Sequence, residues 1–169
     1  MWEIPIQEHK SDATSINSSK LPTSIKKIDW KQGTRNADIG GGKFDNVTEY
    51  LEQFDVENII YDPFNRSLQH NIDAISKIKY GQCYSATCNN VLNVIKEDIN
   101  KERVIQQCEN VIRDDGWVYI QIYEGDRSGV GKETSKGWQE NRKTRDYITL
   151  IEKYLRVYKV TGNLIVCSK

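Results

Sequence analysis

A run of three glycines between a short strand and a helix is the feature that most constrains this sequence. Residues 37–39 are predicted to form a strand, Gly40-Gly41-Gly42 follow directly, and 45–54 have the apolar spacing of a helix. A second predicted strand, 56–61, ends at Asp62. Glycines at such a turn let a ligand approach the backbone, and an acid at the next strand tip can accept both ribose hydroxyls. The pattern predicts a βαβ unit that binds a nucleoside-containing ligand.

The helix after the glycines carries an acid at its start, and this argues against a dinucleotide. The G-x-G-x-x-G pattern would place its third glycine at position 45, where the sequence has Asp45. A carboxylate there would repel the pyrophosphate that such helix N-termini hold. A cationic sulfonium cofactor without phosphate fits better, so nicotinamide binding is the weakest alternative.

Strands and helices alternate along the rest of the chain, which predicts an α/β domain. The further predicted helices open at Asn65 or Ser67 and end at 78, run over 98–113 up to a turn at 114–116, and run over 144–155. The further predicted strands are 83–88, 117–123, 156–161 and 163–167. The last two form a predicted antiparallel hairpin on a mostly parallel sheet with helices on both faces. The domain is expected to span 34–169, after an N-terminal arm or lead-in over 1–33.

Three segments together resemble the motifs of class I S-adenosylmethionine-dependent methyltransferases. Ala37-Asp38-Ile39-Gly40-Gly41-Gly42 and Tyr61-Asp62-Pro63-Phe64 resemble the first and second cofactor motifs, and residues 87–93 resemble the fourth. The resemblance covers the chain from about residue 35 to its end. It implies a Rossmann-like fold, S-adenosylmethionine as cofactor and methyl transfer as the reaction.

The resemblance also implies roles for the matching residues. Asp38 would orient the turn and reach the methionine amino group, directly or through water, and Asp62 would hold the ribose hydroxyls. Pro63 and Phe64 would pack against the adenine, and Asn89 would line the methionine and acceptor side. The implied cofactor-binding set is Asp38, Gly40, Gly41, Gly42, Asp62, Pro63, Phe64, Asn89 and Asn90. Two alternatives stay open: the acids serve only turn and capping chemistry, or the asparagines only cap the helix that follows.

The sequence departs from the family pattern at two places. Only 20 residues separate Asp62 from Cys83, enough for one helix but not for the extra strand and helix that the family has there. We therefore expect a shortened sheet without that edge strand. The residue that would bind the adenine amino group is then unassigned. The third family glycine is Phe44 here, so the turn is expected to be less open.

A long connection after the strand at 117–123 is the second informative segment. It begins at Glu124 and continues through Trp138 to Arg145. Loops at the carboxyl ends of parallel strands bind ligands, and long ones are often lids. We expect Asn89, Tyr123 and Glu124 to act in catalysis, and Glu124, Trp138 and Arg142 to contact the acceptor. The alternative is a mobile surface loop.

Composition narrows the class of partner. Lys plus Arg equals Asp plus Glu at 24 each, which does not support nucleic-acid binding, although a local patch remains possible. No apolar run approaches the roughly 18 residues of a membrane span, so no membrane partner is expected. The four cysteines form no C-x-x-C pair, so we predict no metal site and a reducing, cytoplasmic location.

The leading functional prediction is methyl transfer to a small-molecule, protein or RNA acceptor. In-line displacement at a sulfonium needs mainly proximity and alignment, so the sequence constrains the acceptor poorly. The alternatives are an enzyme that cleaves S-adenosylmethionine and a non-catalytic module that only binds it. The oligomeric state is not predicted.

Overall fold

The structure, a computed structural model, describes residues 1–10 and 19–169. Part of the predicted N-terminal arm, 11–18, therefore lies outside the described residues. The strands are β1 (Thr34–Ile39), β2 (Val56–Tyr61), β3 (Cys83–Asn89), β4 (Ile112–Gln121), β5 (Lys132–Thr134), β6 (Gly137–Gln139), β7 (Arg156–Thr161) and β8 (Leu164–Ser168). The helices are α1 (Asn46–Glu52), α2 (Leu68–Ile78), α3 (Asp98–Val111) and α4 (Ile148–Ile151), with 3-10 turns at Thr23–Lys27, Leu92–Val94 and Thr144–Tyr147.

Six strands form one mixed sheet in the order β2-β1-β3-β4-β8-β7. Strands β1 to β4 are parallel, and β8 runs antiparallel to both β4 and β7. Strands β5 and β6 form a separate two-stranded hairpin within the long connection. The predicted α/β class, the antiparallel C-terminal hairpin and the shortened sheet are confirmed.

The chain reverses direction across the sheet after β2, and this reversal positions the site. Strand β2 lies beside β1 at one edge, whereas β3 lies on the other side of β1. Right-handed crossovers then require α1 on one face and α2 and α3 on the other. Two core clusters agree: Val47 and Leu51 of α1 belong to one with Ile25, whereas Ile78 of α2 and Ile105 of α3 belong to the other. The loops after β1 and β3 diverge, which opens a crevice at the strands' carboxyl ends.

A row of hydrogen-bonded polar side chains lies buried on the α1 face of the sheet. Asn36 Nδ2 donates to Asn58 Oδ1 at 2.8 Å and to Thr87 Oγ1 at 3.0 Å. Ser85 Oγ donates to Asn36 Oδ1, and Thr87 Oγ1 donates to Asp38 Oδ1. Buried polar groups must be paired in this way to be tolerated. The row ends at Asp38 and so fixes its carboxylate at the crevice.

Side chains of α2 occupy the outer edge of β2 where the family's additional strand would pair. Gly40 N bonds to Tyr61 O, so the backbone groups of Tyr61 face β1. The backbone N–H and C=O groups of Ile60 and Asp62 therefore face the open edge. The Asn71 amide accepts from Asp62 N at 3.1 Å and donates to Asp62 O at 2.9 Å. His70 Nε2 donates to Ile60 O at 2.8 Å. Side chains of α2 thus bind Ile60 O and both backbone groups of Asp62 at the outer edge of β2.

Two predicted details are wrong. Residues 114–116, predicted as a turn, lie inside β4, where the register shifts between the pairs that Cys83 and Ser85 form. The predicted helix 144–155 is only a 3-10 turn followed by the four residues of α4, because the chain turns back before β7. At the start of α1, Asp45 occupies the N-cap position, but its carboxylate pairs with Arg66 at 2.9 Å and makes no side-chain bond to the α1 backbone.

The described part of the predicted arm packs on the domain. Gln107 of α3 donates to Met1 O at 2.8 Å, and the Trp2 ring meets the Tyr61 ring edge-on at 5.0 Å. Ile25, in the first 3-10 turn, is fully buried. The division of the chain at residue 33 stays a prediction. Among the described helices, none combines the length and apolarity needed to cross a membrane.

Candidate functional site

A cavity of about 690 Å³ lies at the carboxyl ends of β1 to β4. Its lining includes all nine predicted cofactor residues: Asp38, Gly40, Gly41, Gly42, Asp62, Pro63, Phe64, Asn89 and Asn90. A cavity of this size is in the range that encloses small organic ligands. Three segments far apart in sequence, the glycine turn, the end of β2 and the end of β3, thus meet at one concave surface.

The Asp62 carboxylate connects the end of β2 to the glycine turn. Gly42 N donates to Asp62 Oδ2 at 2.9 Å, and Phe64 N donates to Oδ1 at 3.0 Å. Asn65 contributes its backbone N–H to Oδ1 at 3.0 Å and its side-chain amide to both oxygens at 3.1 Å. A carboxylate offers about four acceptor positions, so all are engaged. The backbone donors hold the carboxylate in place, and the Asn65 side-chain amide contacts both of its oxygens.

Asp38 lies on β1 two residues before the turn and is buried, with 2% of the residue exposed. Burial raises the pKa of Asp38 to about 6, opposed by the hydrogen bond that Thr87 donates and assisted by the Asp62 charge. An ammonium group at this position would favour the ionised form. The site therefore suits the cationic end of an amino-acid-bearing ligand.

The glycine turn leaves no room for side chains. Gly40 has φ +72°, and a Cβ there would lie 2.5 Å from Val91 Cγ2. A Cβ on Gly41 would lie 2.7 Å from Asp38 Oδ2 and 2.9 Å from Ile60 Cγ2. Glycine is required because the backbone passes directly over the Asp38 carboxylate. A ligand on this turn would contact peptide groups instead of side chains.

Hydrogen bonds to other elements orient Asn89 and Asn90 at the end of β3. Ser24 Oγ donates to Asn89 Oδ1, and Gln121 Nε2 donates to Asn90 Oδ1 at 3.0 Å. Gln121 Oε1 in turn accepts from Ser24 N at 2.8 Å. Neither asparagine caps the turn Leu92–Val94 that follows, since its N-cap position is Val91 and it has no side-chain cap bond. The first 3-10 turn thus supports the fourth-motif side of the cavity.

Tyr123, just after β4, and Trp138 of β6 also line the cavity, and their side is its candidate acceptor end. Asn93 Oδ1 accepts from Tyr123 N at 3.2 Å, and its amide donates to Gln139 Oε1 at 3.3 Å. Trp138 Nε1 donates to Glu140 Oε1 at 3.2 Å. These bonds connect β4, the β5–β6 hairpin and the turn after β3, and so position this candidate acceptor end.

Two other predicted acceptor residues lie beside the cavity and not in its lining. Glu124 Oε2 accepts from Thr144 N at 2.8 Å, at the start of the last 3-10 turn. Arg142 Nε pairs with Glu140 Oε2 at 3.0 Å, and Glu140 also pairs with the fully buried Lys101 at 2.7 Å. Both predicted residues hold the base of the hairpin, and their acceptor roles stay predictions.

The N-terminal segment 1–10 contributes a wall that the sequence did not indicate. Pro5 and Gln7 line the cavity, together with Asn100, Arg103 and Gln107 of α3. These three α3 residues have i, i+3, i+7 spacing, so they form one polar stripe beside the apolar one. The sequence therefore contained a signal for the polar stripe of α3. It contained no signal for the position of the N-terminal segment, because that position depends on bonds such as the one from Asn100 Nδ2 to Ile6 O at 2.9 Å.

Comparison with solved structures identifies the fold. The TehB-like SAM-dependent methyltransferase of Corynebacterium glutamicum matches over 92% of each chain, with TM-score 0.57 and 15% identity. The 1,6-didemethyltoxoflavin-N1-methyltransferase of Burkholderia thailandensis, with bound 1,6-didemethyltoxoflavin and S-adenosylhomocysteine, has TM-score 0.62 and 13% identity over 82% of this chain and 72% of that one. CalO1, a methyltransferase of calicheamicin biosynthesis in its SAH-bound form, has TM-score 0.58 and 15% identity over 85% of this chain, which spans only 51% of CalO1.

The chain therefore has the Rossmann-like fold of class I S-adenosylmethionine-dependent methyltransferases. No protein-family model matches the sequence, and no curated protein sequence matches it. At this level of identity the structural likeness defines the fold, and function must be argued from the site.

Proposed function

We propose that this protein binds S-adenosylmethionine in the 690 Å³ cavity and transfers its methyl group to a small acceptor. The observation that supports this most directly is the convergence of Asp38 and Asp62 on the glycine turn. Asp62 bonds to the turn through Gly42 N, and Asp38 lies directly beneath Gly41. One acid fits ribose hydroxyls, and the other fits an ammonium group.

Bound S-adenosylmethionine would supply an activated methyl group on a sulfonium. Asp62 would accept hydrogen bonds from the ribose, and Asp38 would hold the amino group. Pro63 and Phe64 line the cavity next to Asp62 and would pack on the adenine. Asn89, at the end of β3, would border the methionine portion and the acceptor.

Amides and aromatic rings dominate the acceptor end, which is why we infer catalysis by alignment. Asn93, Gln139 and Trp138 line it, with the Tyr123 side chain at its rim. The acid there, Asp126, accepts hydrogen bonds from Ser128 that lower its pKa to about 2, so it is a weak base at neutral pH. This arrangement suits an acceptor atom that is already nucleophilic and needs only proximity and orientation.

The walls around the acceptor end favour a small molecule over a polymer. Pro5 and Gln7 approach from the N-terminal segment, while Lys136 and Trp138 approach from the β5–β6 hairpin. Two of the matched enzymes are named for small-molecule chemistry, toxoflavin and calicheamicin. A balanced net charge gives no support for a nucleic-acid acceptor. We expect a cytoplasmic enzyme because all four cysteines are free and buried.

Titration calorimetry tests the cofactor assignment. Wild-type protein is expected to bind S-adenosylmethionine and S-adenosylhomocysteine but not NAD⁺. Asp62→Ala should weaken binding by roughly a hundredfold, because two charge-assisted hydrogen bonds of about 1.5 kcal/mol or more are lost. The matched control is Asp73→Ala, an exposed acid on α2. Equal affinity in the wild type and Asp62→Ala would refute the assignment.

Product analysis tests the reaction. Incubation with S-adenosylmethionine and a panel of small nucleophiles should yield S-adenosylhomocysteine only when an acceptor is present. Trp138→Ala should lower this turnover and leave cofactor affinity within about twofold, since Trp138 borders the acceptor end. Adenosyl products formed without an acceptor would instead indicate cleavage of S-adenosylmethionine, and binding without any product would indicate a non-catalytic module.

A further inference from the structure

Three side chains that can bind a metal meet where the N-terminal segment touches the β5–β6 hairpin. They are Glu8, His9 and Glu133, whose ligand atoms all lie within 4.8 Å of one another. The His9 ring stacks on Trp138 with centroids 5.4 Å apart. The group therefore spans two segments that both contribute walls to the cavity.

The His9 ring nitrogen that faces the two acids is poorly satisfied by protein atoms alone. His9 Nε2 is buried from solvent and has no hydrogen-bond partner among the described residues. It lies 3.5 Å from Glu133 Oε1 and 3.7 Å from Glu8 Oε1, too far for good hydrogen bonds. Two ligands of one tetrahedral ion with bonds of about 2.0–2.1 Å are roughly 3.3 Å apart. The observed separations are close to that value.

The local charge favours a cation. Glu8 and Glu133 place two carboxylates beside the His9 ring, and Lys96 Nζ lies 5.0 Å from the centroid of the neighbouring Trp138 ring. Lys96 Nζ pairs with Glu8 Oε2 at 2.6 Å, which leaves the other Glu8 oxygen directed at His9. Among the described residues, Glu133 has an ion-pair contact with His9 alone, and the Glu133 side chain is 73% exposed. The Glu133 carboxylate is therefore available to a cation.

We propose that Glu8, His9 and Glu133 bind a divalent transition-metal ion, with Zn²⁺ as the best fit, and that this ion fastens the N-terminal segment to the β5–β6 hairpin. An imidazole with two carboxylates suits Zn²⁺, and a water molecule would complete four-coordination. Mg²⁺ prefers an all-oxygen octahedral set and should bind poorly. The proposal does not depend on methyl transfer, since it requires only these three side chains.

The test uses Co²⁺ and Zn²⁺ with the full-length protein, without cofactor. Co²⁺ should bind with 1:1 stoichiometry and give the intense visible absorption of a tetrahedral site, and Zn²⁺ should displace it. His9→Gln and the exposed Glu133→Gln should each abolish or weaken this binding at least about tenfold. His70→Gln is the matched control, because His9 and His70 are the only histidines and His70 is bonded to Ile60 instead.

A second readout reports the consequence for the arm. Amide hydrogen exchange of residues 1–10 should slow on addition of Zn²⁺ in the wild type but not in Glu133→Gln. Mg²⁺ should leave exchange unchanged. Absence of Co²⁺ binding in the wild type, or binding that persists in His9→Gln with the same spectrum, would overturn the proposal.

Discussion

The Asp62 carboxylate at the end of β2 accepts a hydrogen bond from Gly42 N at 2.9 Å, across 20 positions of the sequence. This bond joins the two segments that the cofactor would bridge. The turn and the acid therefore hold their relative position through protein contacts, and a ligand need not assemble them. Preorganisation of this kind reduces the entropy lost on binding.

Asp62→Asn should destabilise the protein even without ligand. An amide has one acceptor oxygen, so either Gly42 N or Phe64 N would face an NH₂ group and lose its partner. Leaving one buried donor unsatisfied costs about 1–3 kcal/mol. Urea denaturation of the wild type, Asp62→Asn and the exposed control Asp73→Asn measures this. Equal stability of all three proteins would mean that the Asp62 bonds contribute nothing to the folded state.

The raised pKa of Asp38 should make stability depend on pH. Its folded-state pKa of about 6 exceeds the ordinary value of 3.8, so the folded protein binds more protons than the unfolded chain between these pH values. Stability is therefore lost as pH rises from about 4 through 6, by roughly 3 kcal/mol in total. Asp38→Asn removes this loss and should gain stability relative to wild type between pH 4 and 7. A stability difference that stays constant with pH would contradict the assignment.

The same group should control cofactor affinity in the opposite direction. Only ionised Asp38 attracts an ammonium group, so the affinity for S-adenosylmethionine should rise as pH increases through about 6. Calorimetry between pH 5 and 7.5 checks this. In Asp38→Asn the affinity should be weaker at pH 7.5 and nearly flat over this range. The neighbouring charges that act on Asp38 are Asp62 and Arg66, and Asp73→Asn serves as the exposed control.

The steric demand at Gly40 can be separated from its backbone conformation. Gly40 and Gly129 have similar positive φ values, +72° and +78°, but only Gly40 has a neighbour, Val91, within reach of an added Cβ. Gly129→Ala should cost about 1 kcal/mol for the left-handed conformation alone. Gly40→Ala should cost about 1–3 kcal/mol more because of the clash. Val91→Ala in the Gly40→Ala background should recover only that excess, as measured by urea denaturation.

The fold was predictable because its signals are local. Glycines between a strand and a helix, an acid 20 positions further on and the short span from Asp62 to Cys83 already define the βαβ unit and the shortened sheet. The bulge in β4 was missed because an Asp-Asp-Gly sequence normally indicates a turn. There the backbone instead continues beside β3, where a Cβ on Gly116 would lie 2.9 Å from Tyr84 O.

The cofactor side of the site was more accessible to sequence analysis than the acceptor side. The location of Asp38 and Asp62 in the site could be predicted from their positions at the ends of strands, since parallel strands bring their carboxyl ends to one edge of the sheet. The roles of Glu124 and Arg142 depend on which partners the hairpin finds, here Thr144 N and Glu140. Similarly, His9 and Glu133 are 124 positions apart, and only the folded chain brings them together.

The amide of Asn71, paired with both backbone groups of Asp62, bears on how this sheet avoids aggregation. An exposed sheet edge is a template on which another chain can add a strand, and proteins usually block it. Here the Asn71 side chain makes the two hydrogen bonds that one residue of the absent strand would make, and His70 binds the carbonyl of Ile60. The charged Glu57, paired with Arg35, protects the beginning of the same edge. A fold of this type can therefore lose its outermost strand and still present a border that discourages self-association next to the ligand crevice.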